Sequence, residues 1–266
     1  EVDGAAYWMS ENGFFRYAGK LESLPCLVED FVFDDINMES GNQMISAGLN
    51  NLFGEVTWFY PQATSTVVNR MVSYNYFDSS PRRPVWTIGS LSRTMWQDSA
   101  VFPRPHALEY DASTDTSFDV VGNTEGRTSY YEHETGTDQN RNGTITAITS
   151  NISSGDFDIT QRIARGATTG TPDIRGDGEF LMKIRRFIPD FISQTGDAQV
   201  TLELRNFPND TKASSALGPF TVTTATQKVD TRARARSISL KVANTGASQT
   251  WKLGTFRLDI QPDGRR

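Results

Sequence analysis

The sequence contains few of the residues that build reactive sites. Its 266 residues include one cysteine, Cys26, and two histidines, His106 and His133. A single cysteine excludes an intramolecular disulfide framework. Two histidines and one thiol also leave few ligands for a zinc site. A Gly-x-Ser-x-Gly turn, a phosphate-binding loop and a dinucleotide fingerprint are all absent. We therefore predict that the protein is not an enzyme and has no cofactor.

Long apolar runs and long amphipathic helical patterns are absent as well. No apolar run approaches the ~20 residues that a membrane span needs, so we predict none. Short apolar runs instead alternate with turn residues, which predicts an all-β fold. The net charge of −6 provides no basic surface for non-specific nucleic-acid binding, although it does not exclude a locally basic patch.

Residues 1–138 have the strand pattern of a partial β-propeller, and we predict that they form its C-terminal blades. Two strands meet at a hairpin turn at Ser10–Gly13, and one helical turn is predicted at Val28–Asn37. Four strands follow, a number that matches one propeller blade and equally a plain meander. They are predicted at Met44–Leu49, Glu55–Pro61, Arg70–Phe77 and Pro84–Leu91. Further strands are predicted at 106–111, 117–122 and 128–136.

Residues 139–266 show cleaner alternation, which predicts an antiparallel β-sandwich domain. Strands are predicted at 179–188, 200–207, 219–224 and 237–244. In the first of them, Phe180, Met182 and Ile184 share one face. Near the end of the chain the alternation changes parity at Gly254, which predicts a β-bulge there.

The segment around His133 resembles an acid–base site, because Glu132 and Glu134 flank the histidine. On a strand, however, the two carboxylates point to one face and the imidazole to the other. A shared reaction site needs these groups to face one another. The pattern therefore favours a strand end whose polar groups have structural partners.

Two other segments have the composition of ligand sites. Asp138, Asn140 and Asn142 match the first half of a calcium loop, but Thr149 occupies the position of the bidentate glutamate. The same residues also suit a tight turn. Trp86 and Trp96, with Arg82, Arg83 and Arg93 nearby in sequence, could form a sugar or nucleotide platform. Aromatic residues of propeller blades more often pack in the core, so core packing is the favoured interpretation.

Three arginines, Arg232, Arg234 and Arg236, occur at alternate positions. On a strand they would form one row with a spacing of ~6.7 Å, while Ala233 and Ala235 face inward. A solvated edge with nearby carboxylates is one interpretation of this row. The other interpretation is that the arginines contact charged groups outside their own sheet, either on a neighbouring subunit or on DNA phosphates. The negative net charge of the chain favours the subunit.

Several motifs, taken together in order and spacing, resemble the tail nozzle proteins of short-tailed bacteriophages, also called tail tube or packaged-DNA-stabilisation proteins. The resemblance spans nearly the whole chain. It is carried by AYWMSENGFFRYAGKLESLPCLVEDFVF, ISAGLNNLFGEVTWFYP, VSYNYFDSS, VWTIGSLSRTMWQDS, YYEHETG, IRRFIPDF and WKLGTFRLDIQPDGRR. Members of that family are longer, and this chain starts in core-like sequence without Met, so we expect it to be a fragment.

This resemblance implies a structural protein of the virion tail. The expected assembly is a hexameric ring below the portal and adaptor proteins that continues the DNA channel, retains packaged double-stranded DNA and receives tail fibres or spikes. The family supplies no catalytic residues to transfer. Two other classes stay open: a glycan-binding or glycan-cleaving propeller on a virion or cell surface, and a calcium-stabilised secreted β module.

Overall fold

A computed structural model describes residues 2, 4–39, 43–99, 101–111, 127–141, 143–159, 180–207, 215–244 and 246–264. The chain divides into two compact units, Glu1–Thr135 and Gly136–Arg266, whereas the sequence prediction placed a boundary after residue 138. The described residues form antiparallel sheets and one short helix, which confirms the predicted all-β class. Within these ranges no helix has the length and apolar content to cross a membrane.

In its described residues, the first unit contains three antiparallel sheets and a helix. Its elements are β1 (Ala6–Ser10), β2 (Gly13–Tyr17), β3 (Leu21–Leu24), α1 (Glu29–Asp35), β4 (Ser46–Asn50), β5 (Glu55–Tyr60), β6 (Arg70–Asn75), β7 (Trp86–Gly89), β8 (Met95–Gln97), β9 (His106–Asp111) and β10 (Arg127–Glu132). The strand orders are β1-β2-β3, β4-β5-β6-β7 and β10-β9-β8. None of the sheets in the described part of the chain closes on itself.

Local sequence signals locate most elements of this unit. Ser10 pairs with Gly13 across the predicted hairpin turn, and α1 occupies the predicted helical turn. The four predicted blade strands form one meander, β4 to β7. The strand predicted at 117–122 lies outside the described residues.

Aromatic side chains make the core of the first unit. Phe14 on β2 is fully buried, and its ring centroid lies 5.0 Å from that of Trp58 and 4.7 Å from that of Trp86. Val32 of α1 packs into the same cluster. Burial of each such side chain contributes ~1.5–3 kcal/mol, which holds α1 against the sheets although an isolated helix of this length is unstable.

The second unit contains strands only, within the described residues. They are β11 (Asp138–Arg141), β12 (Thr144–Ala147), β13 (Ser150–Ser153), β14 (Met182–Ile188), β15 (Phe191–Thr195), β16 (Ala198–Arg205), β17 (Ala216–Val222), β18 (Val229–Ala235), β19 (Ser237–Asn244), β20 (Thr250–Leu253) and β21 (Arg257–Pro262). The larger sheets have the orders β13-β19-β16-β17 and β18-β14-β21. Two-stranded sheets pair β11 with β12 and β15 with β20.

One hydrophobic cluster joins the two larger sheets of this unit. Met182 and Ile184 of β14 are fully buried together with Leu202 of β16 and Ile238 of β19. Phe180 packs against the same cluster, as the alternation predicted. Burial of Met182 and Ile184 therefore fixes strand β14, so that the residues at its alternate positions face away from the core.

The predicted β-bulge at Gly254 is wrong. Strand β20 ends at Leu253 and pairs with β15, whereas β21 starts at Arg257 and pairs with β14. The parity changes because the chain passes from one sheet to another. Gly254 lies at this passage, where its N–H donates to the carbonyl of Asp190 at 2.8 Å.

We expect Gly254→Val to lower the free energy of unfolding by about 1–3 kcal/mol, the usual cost of overpacking. A Cβ at this position would lie 2.8 Å from the backbone oxygen of Asp190, which cannot move without shifting the strands. Gly155→Val is the matched control, because a Cβ there meets no atom within 4 Å. Equal denaturant midpoints for the two variants would contradict the close approach.

Candidate anion-binding surface

The arginine row lies on β18, an outer strand of its sheet. Ala233 and Ala235 are fully buried, whereas Arg232 and Arg234 are exposed, which confirms the predicted two-sided pattern. Arg236 does not continue the row. It follows the end of the strand, and its backbone N–H donates to the carbonyl of Arg205 at 3.0 Å.

The neighbouring strand β14 adds further cations to this face. Lys183 pairs in register with Arg234, and Arg186 pairs with Asp230. The two strands line a concavity with a volume of about 400 Å³, here called the cationic cleft. It is lined by Lys183, Arg185, Arg186, Asp230, Thr231, Arg232 and Arg234. The sequence analysis missed the β14 cations, because the run Lys-Ile-Arg-Arg does not reveal which strand lies beside it.

Two cations of the cleft have carboxylate partners within the second unit. The Nε of Arg234 binds a carboxylate oxygen of Asp263, and its Nη2 donates to the Asp263 carbonyl at 3.3 Å. Arg186 Nε lies 3.5 Å from Asp259 and 3.7 Å from Asp230. Arg234 therefore fits the interpretation of a solvated edge with nearby carboxylates, because Asp263 directly follows β21 of the same sheet. Contact of the row with a neighbouring subunit or with DNA stays a prediction.

The other three cations, Lys183, Arg185 and Arg232, form no ion pair with any described residue. Because the chain as a whole carries −6, this cleft is locally opposite in sign to the rest of the molecule. Uncompensated cations at a concave surface provide several N–H donors for an anionic partner.

The groups around His133 have separate partners. Glu132 accepts a charge-assisted hydrogen bond from Arg104 at 3.1 Å, and Glu134 accepts one from the amide of Asn50 at 2.8 Å. The imidazole Nε2 accepts from Arg93 Nε at 2.9 Å. Glu132, His133 and Glu134 therefore each link two segments of the first unit.

Arg93 is the centre of this network and is only 5% exposed. Its guanidinium lies 3.4 Å from a Glu109 oxygen and 4.3 Å from the ring centroid of Tyr131. Burial, followed by the charge of Arg93 and then by His106, lowers the pKa of His133 to about 4. A neutral imidazole that accepts from Arg93 is consistent with that shift.

We expect the first unit to lose stability as the pH falls from about 6.5 to about 4. In this interval the unfolded chain binds a proton at His133 that the folded chain does not, so protonation favours unfolding. Above about 6.5 neither state is protonated at this residue, and the contribution vanishes. His133→Gln keeps an acceptor and should flatten the dependence of the urea midpoint on pH. Parallel curves for the two proteins would refute this assignment.

Two of the candidate calcium ligands, Asp138 and Asn140, accept hydrogen bonds from backbone N–H groups. Both carboxylate oxygens of Asp138 accept from the backbone N–H of Ser248, at 2.8 and 2.9 Å. Asn140 Oδ1 accepts from the N–H of Gly143 at 2.9 Å, in the turn between β11 and β12. Asn142 lies outside the described residues. Calcium binding stays an open alternative to the prediction of no metal, and a calcium-dependent melting shift would test it.

Trp86 and Trp96 take the packing role that the sequence analysis favoured over a ligand platform. Trp86 Nε1 donates to the carbonyl of Pro25 at 2.8 Å, and Trp96 Nε1 donates to that of Leu49 at 2.8 Å. The ring of Trp86 packs on Phe14, and that of Trp96 stacks on Phe59. Both indoles are therefore part of the packing of the first unit.

Comparison with known proteins identifies no relative: no protein-family model and no curated protein matches this chain. In the part of the chain that the structure describes, no group of three or more His, Cys, Asp or Glu side chains is arranged to hold a metal ion. The cationic cleft presents uncompensated cations at a concave surface of this part of the chain.

Proposed function

We propose that the protein is a structural component of a virion tail, the nozzle of a short-tailed bacteriophage. In this role it forms part of the DNA channel below the portal and adaptor and retains packaged double-stranded DNA. The motif resemblance described above supports this assignment. A non-catalytic role is consistent with Glu132, His133 and Glu134, each of which is held by its own partner.

The observation that carries the proposal is the outward-facing cationic cleft. Three of its side chains have no partner among the described residues, although the chain has an excess of acidic residues. A protein that works by assembly needs such surfaces, because charge complementarity selects and orients its partners.

The finer architecture is part of the same proposal. The meander β4 to β7 would be one blade of a partial propeller, and the two larger sheets of the second unit would form a sandwich. The shared cluster around Met182, Ile184, Leu202 and Ile238 supports the sandwich, because facing sheets bury their inward rows against each other.

The proposed partners are copies of the same chain in a closed ring of six, the portal and adaptor proteins, and tail fibres or spikes. Electron microscopy of native particles, with an antibody to this chain as the label, tests the assignment. We expect labelled density in a six-fold ring below the portal. A label elsewhere on the particle would refute the nozzle, and another stoichiometry would refute the ring of six.

A direct assay separates this proposal from a glycan-cleaving protein. The purified chain should leave polysaccharide and peptidoglycan intact. Cleavage that is lost in Glu132→Gln or Glu134→Gln would overturn the non-catalytic assignment, because these carboxylates would then perform acid–base chemistry.

A further inference from the structure

We infer that the cationic cleft binds an acidic surface of a second copy of this chain, through Lys183, Arg185 and Arg232. The inference rests on the proposed function, in which copies of the chain assemble. It replaces the row of three arginines by a different set, because only Arg232 belongs to both.

The charge distribution within the cleft selects these three residues. Arg234 and Arg186 already interact with carboxylates of their own unit, Asp263 on one side and Asp230 and Asp259 on the other. A new partner would have to compete with these contacts. The remaining cations carry no such compensation among the described residues, so their full charge is available.

The same carboxylates favour a protein over DNA as the occupant. Asp230 lines the cleft, and Asp259 and Asp263 bind arginines that line it. A phosphate backbone is negative along its whole length, and at each of these positions it would meet a cation whose charge is already compensated by a carboxylate. A protein surface can place an acidic group at Arg232 and a neutral or basic group near Asp230, which matches a surface of mixed sign.

Among protein partners, a copy of this chain has the required excess of carboxylates. The sequence contains 32 acidic and 26 basic residues, so a second copy has more carboxylates than cations with which to complement a local cluster of cations. A contact between different patches of identical chains is heterologous and closes into a ring when the rotation allows. The cleft therefore fits the ring that the proposed function requires.

The contact should be sensitive to salt and cooperative among the three residues. A single exposed ion pair contributes only ~0.2–1 kcal/mol, so one pair does not hold two copies together. Arginines that bind carboxylates through two parallel N–H donors are stronger and more directional. At 0.1 M salt the attraction between exposed charges decays over a Debye length of about 10 Å, and this length shortens as salt is added. Added salt should therefore weaken the association.

The experiment measures self-association by sedimentation at increasing protein and salt concentration. The test variant is Arg185→Glu with Arg232→Glu, and the control is Arg82→Glu, which reverses an exposed cation in the first unit. Anisotropy of a short labelled DNA duplex is recorded for the same proteins. Unfolding midpoints establish that each variant is folded, and the neutral variant Arg185→Gln with Arg232→Gln replaces any variant that is not.

We expect the unmodified chain to self-associate in a salt-sensitive manner, the double variant to lose about tenfold or more in association constant, and the control to match the unmodified chain. Association that persists unchanged in the double variant overturns the inference. So does the absence of self-association, or duplex binding that the double variant loses. None of these results moves the label in native particles, so the nozzle assignment is tested separately.

Discussion

Arg93→Met is expected to lower the free energy of unfolding of the first unit by about 3–5 kcal/mol, the range for removal of one partner from a buried ion pair. The substitution keeps an unbranched apolar chain but removes the charge. It leaves Glu109 without its cation, His133 Nε2 without its donor and the Tyr131 ring without its cation–π partner. The loss comes mostly from the partly buried carboxylate and imidazole that stay without compensation.

Arg104→Met is the matched control for this prediction. It also removes an arginine–carboxylate pair, Arg104 to Glu132 at 3.1 Å, but both side chains are more than 40% exposed. Exposed pairs contribute at most about 1 kcal/mol, so the control should be nearly neutral. Denaturation followed by tryptophan fluorescence measures both variants, because Trp96 packs on His133 with ring centroids 4.5 Å apart. Similar midpoints for the two variants would show that burial does not decide the contribution of Arg93.

Ile184→Ala should destabilise the second unit by about 2–5 kcal/mol. Ile184 is fully buried, and its strand pairs with β18 on one side and β21 on the other. Its carbonyl accepts from the Thr231 hydroxyl at 2.7 Å, at the point where the register of both pairings shifts. The cavity would therefore open directly beneath the cationic cleft.

Ile188→Ala on the same strand is the control, because this isoleucine is 38% exposed. Folding removes less apolar surface from water at Ile188 than at Ile184. The decrease in the free energy of unfolding should therefore be several-fold smaller. Equilibrium denaturation of both variants tests the prediction. A loss at position 188 as large as that at 184 would contradict the assignment of β14's inward row.

Local patterns in the sequence were sufficient for much of the fold. The hairpin at Ser10–Gly13 and the buried row of Met182 and Ile184 follow from turn chemistry and from the two-residue period of a strand. The outward direction of Arg232 follows from the same period, because Ala233 must face inward. These features depend on residues close together in the chain, so a single sequence contains the information.

The partners of these side chains were decided by tertiary structure. The sequence gives no sign that Arg93 binds His133, 40 positions away, or that Asp263 neutralises Arg234, 29 positions away. Parity likewise indicated a change at Gly254, but only the pairing of β20 with β15 and β21 with β14 shows a passage between sheets.

The candidate site illustrates the same division. By itself the sequence determined that β18 presents arginines outward, since alternation along a strand is local. Only the pairing of β18 with β14 brought Lys183 and Arg185 beside Arg232, and only the position of Asp263 removed Arg234 from the set of uncompensated cations. Strand pairing is chosen by burial of both inward rows in a common core, a property of the whole unit that no local pattern contains.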